Sequence, residues 1–221
     1  REYFRDCYDT ATNVTFYDRN LTAFSAGQLL DLLEAYAPRI SSGAAEAQAY
    51  MAGHGLHSIN YSTGVSFTTY LPTYNAPFLF ISLDGTIYDL QTAFHEFGHY
   101  CDAYLNPEPE GLADTGSYDI FEIHSTALEA LLCSWYDEIY PGHGDEARIT
   151  GLDSLLYNVI TGCIYDEFLQ YVYAHPGMSV GEVNDAFRDI AVSYGAPMDS
   201  SSSRYYWDSY DWKIGRASCR E

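Results

Sequence analysis

The stretch Thr86–Leu105 reads TIYDLQTAFHEFGHYCDAYL, with apolar side chains at Leu90, Ala93, Phe94, Phe97 and Cys101. That spacing marks one face of a helix. Thr86, with Asp89 three residues on, reads as a capping box opening the helix just after the Asp84-Gly85 turn. Pro107 and Pro109 mark the loop that follows. Within the helix lies His95-Glu96-Phe97-Gly98-His99, an HExxH pentapeptide.

Two histidines four residues apart share a helix face one turn apart, so both imidazoles can reach one Zn²⁺ at about 2.0–2.1 Å. Glu96, beside the first of them, can take a proton from a water held there. Such a pentapeptide arises by chance in about one chain in a hundred of this size, so its surroundings decide its meaning. A catalytic zinc needs three protein ligands and one open position. The spacing points to a second long helix over about Tyr118–Tyr136, returning antiparallel through the Pro-containing loop, and this supplies candidates for the third. Glu122 is the first choice and His124 its competitor; about 200° apart on a 3.6-residue period, only one of them is expected to face the metal. Glu129, two turns beyond Glu122, is placed to accept an imidazole N–H and fix a ligand tautomer.

Outward from this centre, Ala23–Ala37 reads as a helix stopped by Pro38, and Ala44–Ala52 as one ending at Gly53. Val65–Leu71 and Phe78–Leu83 read as strands of a small antiparallel sheet. Phe78–Leu83 could serve as an edge strand pairing with an extended peptide. Further helices are expected over Asp145–Ala174 and, opened by a Ser179/Glu182 capping box, to about Tyr194. His54, His57, His143 and His175 adjoin Gly or Pro and read as turn or capping residues, and Tyr205, Tyr206 and Tyr210 as packing residues.

The chain has 221 residues, 47% of them hydrophobic and 16% aromatic, which suits a packed core rather than disorder. A formal net charge of -21 sets it against phosphate backbones, so nucleic acid is not an expected partner. No apolar run approaches the roughly 18 residues of a membrane helix, and no membrane association is expected. Acidic residues Asp102, Glu108, Glu110 and Asp114 read as a solvated face. Cys7, Cys101, Cys133, Cys163 and Cys219 form no CxxC pair and read as reduced, mostly buried thiols. With a cytoplasmic location expected, the sequons at Asn13, Asn20 and Asn60 are not expected to carry glycans. Ile214–Glu221 breaks the acidic, aromatic pattern and is expected to be a non-native tail. Residues 1–213 are then expected to be part of a longer protein, cut at both ends.

From about Tyr61 to Trp212 the sequence resembles the oligoendopeptidase F family, in the wider thimet oligopeptidase and neurolysin group. The likeness is carried by Ser66–Pro72, Tyr74–Phe78, the HEFGH helix and Glu122-Ile123-His124-Ser125-Thr126, with Glu129 completing an E-x-x-S-x-x-x-E pattern. The resemblance selects His95, His99 and Glu122 as zinc ligands and Glu96 as general base. It departs at Asp102, where many members carry a His three residues after the second ligand; Asp102 is a candidate for support around the ligands. The family also has a downstream His- and Tyr-rich segment that steadies the oxyanion, and the chain is expected to stop short of it. The implied fold is mainly α (α+β), a zincin-like catalytic region of long helices with a small antiparallel sheet. The implied function is zinc-dependent endopeptidase cleavage of short peptides. The alternatives are a catalytically incomplete zinc- or peptide-binding fragment and a zinc aminopeptidase, although no exopeptidase motif is visible.

Overall fold

The computed structural model describes residues 21–62, 64–107, 122–196 and 198. The readings made at Cys7, Cys219, Asn13, Asn20, Glu108, Glu110, Asp114, Tyr205, Tyr206, Tyr210 and Ile214–Glu221 lie outside them. The described residues divide into two compact units, one up to residue 151 and one from residue 152 onward.

In the first unit, α1 (Ala26–Ile40) opens on a capping box in which Ser25 and Gln28 satisfy each other's backbone N–H groups. It buries Leu29, Leu33, Tyr36 and Ala37, the i, i+4, i+7, i+8 stripe of a core-facing helix. Pro38 does not stop it: the proline sits within the last turn, and the Ser41 N–H closes the helix on Ala37 O. Ser41 then caps α2 (Ser42–His54), accepting from the Ala44 N–H, and Gly55 ends it at φ 63°, a left-handed conformation that a side chain would strain.

Three strands follow: β1 (His57–Tyr61), β2 (Phe67–Leu71) and β3 (Ala76–Leu83). The sheet is mixed, not antiparallel. Its order is β1-β3-β2, with β1 parallel to β3 (Ile59 beside Ile81) and β2 antiparallel to it (Thr68 beside Leu79). β3 is therefore central and has no open edge, which removes the peptide-pairing role expected for Phe78–Leu83. His57, read as a turn residue, begins β1. Alternation along β3 buries Leu79, Ile81 and Leu83 against one face. Thr68, opposite Leu79, shares that face.

Onto it packs α3 (Tyr88–Leu105), an 18-residue helix and so about 27 Å long. Its start differs from the capping-box expectation. Ile87 is the N-cap, so Asp89 falls at the second helical position and reaches back instead, accepting from the N–H groups of Asp84 (3.1 Å) and Gly85 (3.0 Å). Leu90, Ala93, Phe94, Phe97 and Tyr100 are at most 1% exposed. Full burial of a Leu or Phe stabilises by roughly 1.5–3 kcal/mol, so this face anchors the helix and fixes where its opposite face points.

The expected second long helix is broken into α4 (Ile123–Leu132), a 3₁₀ turn (Cys133–Trp135) and α5 (Tyr136–Ile139). Packing accounts for the break: Trp135 turns into the core against Tyr36 (4.9 Å between ring centroids) and Phe94 (6.3 Å). α4 crosses α3 at Gly98, where a Cβ would lie 2.7 Å from Ser125 Cα. Only glycine permits that approach.

Helix α6 (Gly144–Ala174) begins in the first unit and ends in the second. There Ile160, Ile164, Tyr165 and Phe168 form a separate core with Phe187, Ile190 and Ala191 of α7 (Val180–Ser193). Phe168 and Phe187 meet edge to face at 5.1 Å. The Ser179/Glu182 capping box forms as the sequence predicts. Of the described cysteines, Cys133 is buried, and Cys101 and Cys163 are half-buried; all three are free thiols. No described helix is long and apolar enough to cross a membrane.

Candidate metal centre

His95 and His99 project from the face of α3 opposite its buried stripe, while Glu122 reaches them from the N-cap of α4. Their ligand atoms form a nearly equilateral triangle. His95 Nε2 lies 3.1 Å from Glu122 Oε2, His99 Nε2 lies 3.3 Å from the same oxygen, and the two Nε2 atoms are 3.2 Å apart. Two ligands of a tetrahedral zinc at about 2.0–2.1 Å are separated by about 3.3 Å, so the triangle matches one face of that tetrahedron. The two histidines are half-buried and Glu122 is exposed, which leaves one side open to solvent.

Converging lone pairs demand positive charge. Burial pushes the His95 imidazole down, but the carboxylates of Glu122 and Glu129 outweigh it and raise its pKa to about 10. Hydrogen bonding to His95 and His99 holds the Glu122 carboxyl far below the usual carboxylate range. The same arrangement of lone pairs and carboxylate that favours a proton on His95 would favour a divalent cation between the three residues. The donor set of two imidazoles and one carboxylate therefore fits zinc in both chemistry and spacing.

The surrounding contacts hold each ligand. Glu129, 7% exposed, places Oε1 2.6 Å from His95 Nδ1, the nitrogen facing away from the triangle. Ser125, fully buried, donates to Glu122 Oε2 at 2.8 Å. Of Glu122 and His124 only one is expected to face the metal; Glu122 joins the triangle, and His124 meets His99 at its other ring nitrogen. Glu122 is the cap (φ -90°, ψ 0°), outside the helical period that the argument assumed, so the two residues reach opposite nitrogens of one ring. Glu122 approaches His99 Nε2, and His124 Nε2 lies 3.1 Å from His99 Nδ1. Burial pushes the His124 imidazole down, and Asp102 acts on it through its charge in the opposite sense. Asp102 itself accepts from the Asn106 side chain at 2.9 Å.

Glu96 is 7% exposed and lies beside the triangle. Burial raises its pKa, against the downward pull of His99, His95 and the Thr68 hydroxyl. Thr68 Oγ1 lies 3.0 Å from Glu96 Oε2 and 2.8 Å from the Glu96 carbonyl oxygen, tying strand β2 to the helix at this residue. Sequence reasoning missed this contact. The strand alternation held a signal for it, because Thr68 is a polar residue on the sheet face that Leu79, Ile81 and Leu83 turn to the core.

Two solved structures assigned as oligoendopeptidase F match this architecture at 25% identity. One covers 87% of the chain with a TM-score of 0.73; the other, from Bacillus anthracis strain Ames, covers 94% with a TM-score of 0.71. The chain has an oligoendopeptidase F-like fold. This oligoendopeptidase F-like chain also shares its fold with PZ peptidase A, solved with an inhibitor, at a TM-score of 0.76 and 22% identity over 95% of its length. It spans 36%, 40% and 41% of those three proteins. No family model matches the sequence, and no curated protein sequence matches it.

Proposed function

We propose that this chain carries the zinc site of an oligopeptidase that hydrolyses internal bonds of short peptides. The observation that carries the reading is the triangle of His95 Nε2, His99 Nε2 and Glu122 Oε2 with the buried Glu96 carboxylate beside it. Zinc bound by those three residues would polarise the scissile carbonyl and lower the pKa of water toward about 7. Glu96 takes the proton as water attacks and then delivers it to the leaving amine. Thr68 holds Glu96 by sharing its one hydroxyl hydrogen between the carboxylate and the carbonyl oxygen of that residue. β2 pairs with β3 on one side only among the described residues, so its other edge offers main-chain groups to an extended peptide. Pairing along a strand holds a peptide by its backbone at several residues, which suits cleavage at internal bonds better than capture of a free amine.

Zinc content, measured alongside cleavage of quenched-fluorescent peptides, tests the reading. Peptides acetylated at the N-terminus should be cut internally, activity should vanish on zinc removal by phenanthroline, and it should return with added zinc. Cleavage of unblocked peptides alone would indicate an aminopeptidase, and zinc uptake without any cleavage would leave a metal-binding module.

Thr68→Val tests the aim of Glu96. A hydrogen bond to a charged group contributes about 1.5–3 kcal/mol, so kcat/KM should fall roughly 10–100-fold with zinc content unchanged. Wild-type kcat/KM in this variant would remove Thr68 from the site.

A further inference from the structure

The ligand triangle uses only one nitrogen of His99. The other, Nδ1, lies 3.1 Å from His124 Nε2, with the two rings at 88° and their centroids 5.1 Å apart. A neutral imidazole carries one proton, and a ring that offers its Nε2 lone pair to a cation must hold that proton on Nδ1. His99 Nδ1 is then the donor in this contact and His124 Nε2 the acceptor. The reverse assignment would put the proton on His99 Nε2, aimed at His95 Nε2 and Glu122 Oε2 at 3.2 and 3.3 Å, and would close the triangle to any cation.

We infer that His124 is a positioning residue that accepts the His99 Nδ1–H and so directs the His99 Nε2 lone pair to the metal. The inference rests on the zinc reading above. It gives the two ligands unlike supports: a carboxylate, Glu129, behind His95 and an imidazole behind His99. Glu122 and Glu129 already bring two carboxylates to the centre, so a neutral acceptor orients the second ring without adding a third negative charge. The acceptor is also rigidly placed. His124 lies in the first turn of α4, whose backbone is pressed against Gly98, one residue before His99, so that a Cβ at Gly98 would sit 3.2 Å from His124 O.

His124→Leu and His124→Gln, made in the full chain, separate this role from simple packing. Zinc affinity is read by competition with a chromophoric chelator, and the ligand set by the visible absorption of the Co²⁺-loaded protein. Loss of a hydrogen-bonding partner behind a metal ligand costs about 10–100-fold in affinity. His124→Leu should lose that much, whereas His124→Gln, whose side-chain oxygen can accept the same N–H, should stay within about threefold of wild type. The Co²⁺ spectrum at saturation should keep its wavelengths in both. Wild-type affinity in His124→Leu, an equal loss in His124→Gln, or a shifted Co²⁺ spectrum would each overturn the inference. If the unaltered chain binds no zinc, the zinc reading falls with it; equal affinity in all three proteins removes the role of His124 alone.

Discussion

Glu96→Gln should bind zinc as the unaltered protein does and hydrolyse peptides about 10²–10⁴-fold more slowly, the range that a positioned general base contributes. The substitution preserves shape, and the glutamine oxygen can still accept from the Thr68 hydroxyl, so the contact between β2 and α3 survives. None of the three triangle atoms belongs to Glu96, and the ligands keep their own supports in Glu129, Ser125 and His124. What is lost is the ability to take a proton, since an amide does not act as a base near neutral pH. The burial that raises the Glu96 pKa also means that no bulk water stands in for it. Metal content per chain and kcat/KM, measured on the same preparation, decide the matter. Undiminished turnover would sink the role assigned to Glu96, and loss of zinc would show that Glu96 supports the metal instead.

Much of this centre is legible in local sequence, because the HExxH helix needs only its own periodicity. The alternation of Leu90, Phe94 and Phe97 with His95 and His99 determines which face is buried and which is presented, and both ends of α3 lie within two residues of where turn chemistry places them. Contacts between elements are harder to read. The His57–Tyr61 segment contributes few apolar residues and is a strand only because β3 offers it a parallel partner, a pairing with no local signal. The same holds for Thr68, whose hydroxyl matters because antiparallel register sets it opposite Leu79 and over Glu96. His124 was visible as a histidine near the site, but its place behind His99 depends on Glu122 being a cap rather than a helical residue. Periodicity cannot report that distinction, since it assumes that the helix already includes both.

The remaining large effect lies at Gly98, the residue on which the approach of Glu122 depends. Gly98→Ala would ordinarily favour a helix by up to about 1 kcal/mol, because alanine has the better intrinsic propensity. Here the new Cβ would meet Ser125 Cα at 2.7 Å and Ser125 N and His124 O at 3.2 Å. These are backbone atoms that cannot rotate away, so α4 must move as a body. Overpacking of this kind costs about 1–3 kcal/mol, which offsets the propensity gain and leaves a net loss of up to about 2 kcal/mol, or up to about 8 °C in Tm for a chain of this size. The functional loss should exceed the structural one. Ser125 orients Glu122, and both Glu122 and His124 ride on the displaced segment, so a shift of even about 1 Å opens the triangle on two edges and withdraws the acceptor behind His99. Zinc affinity should therefore fall at least about tenfold while far-UV circular dichroism stays that of a helical protein. Gly98→Ala with wild-type zinc affinity and unchanged Tm would show that α3 and α4 can part without disturbing the ligands, and that the third ligand is not held by this crossing.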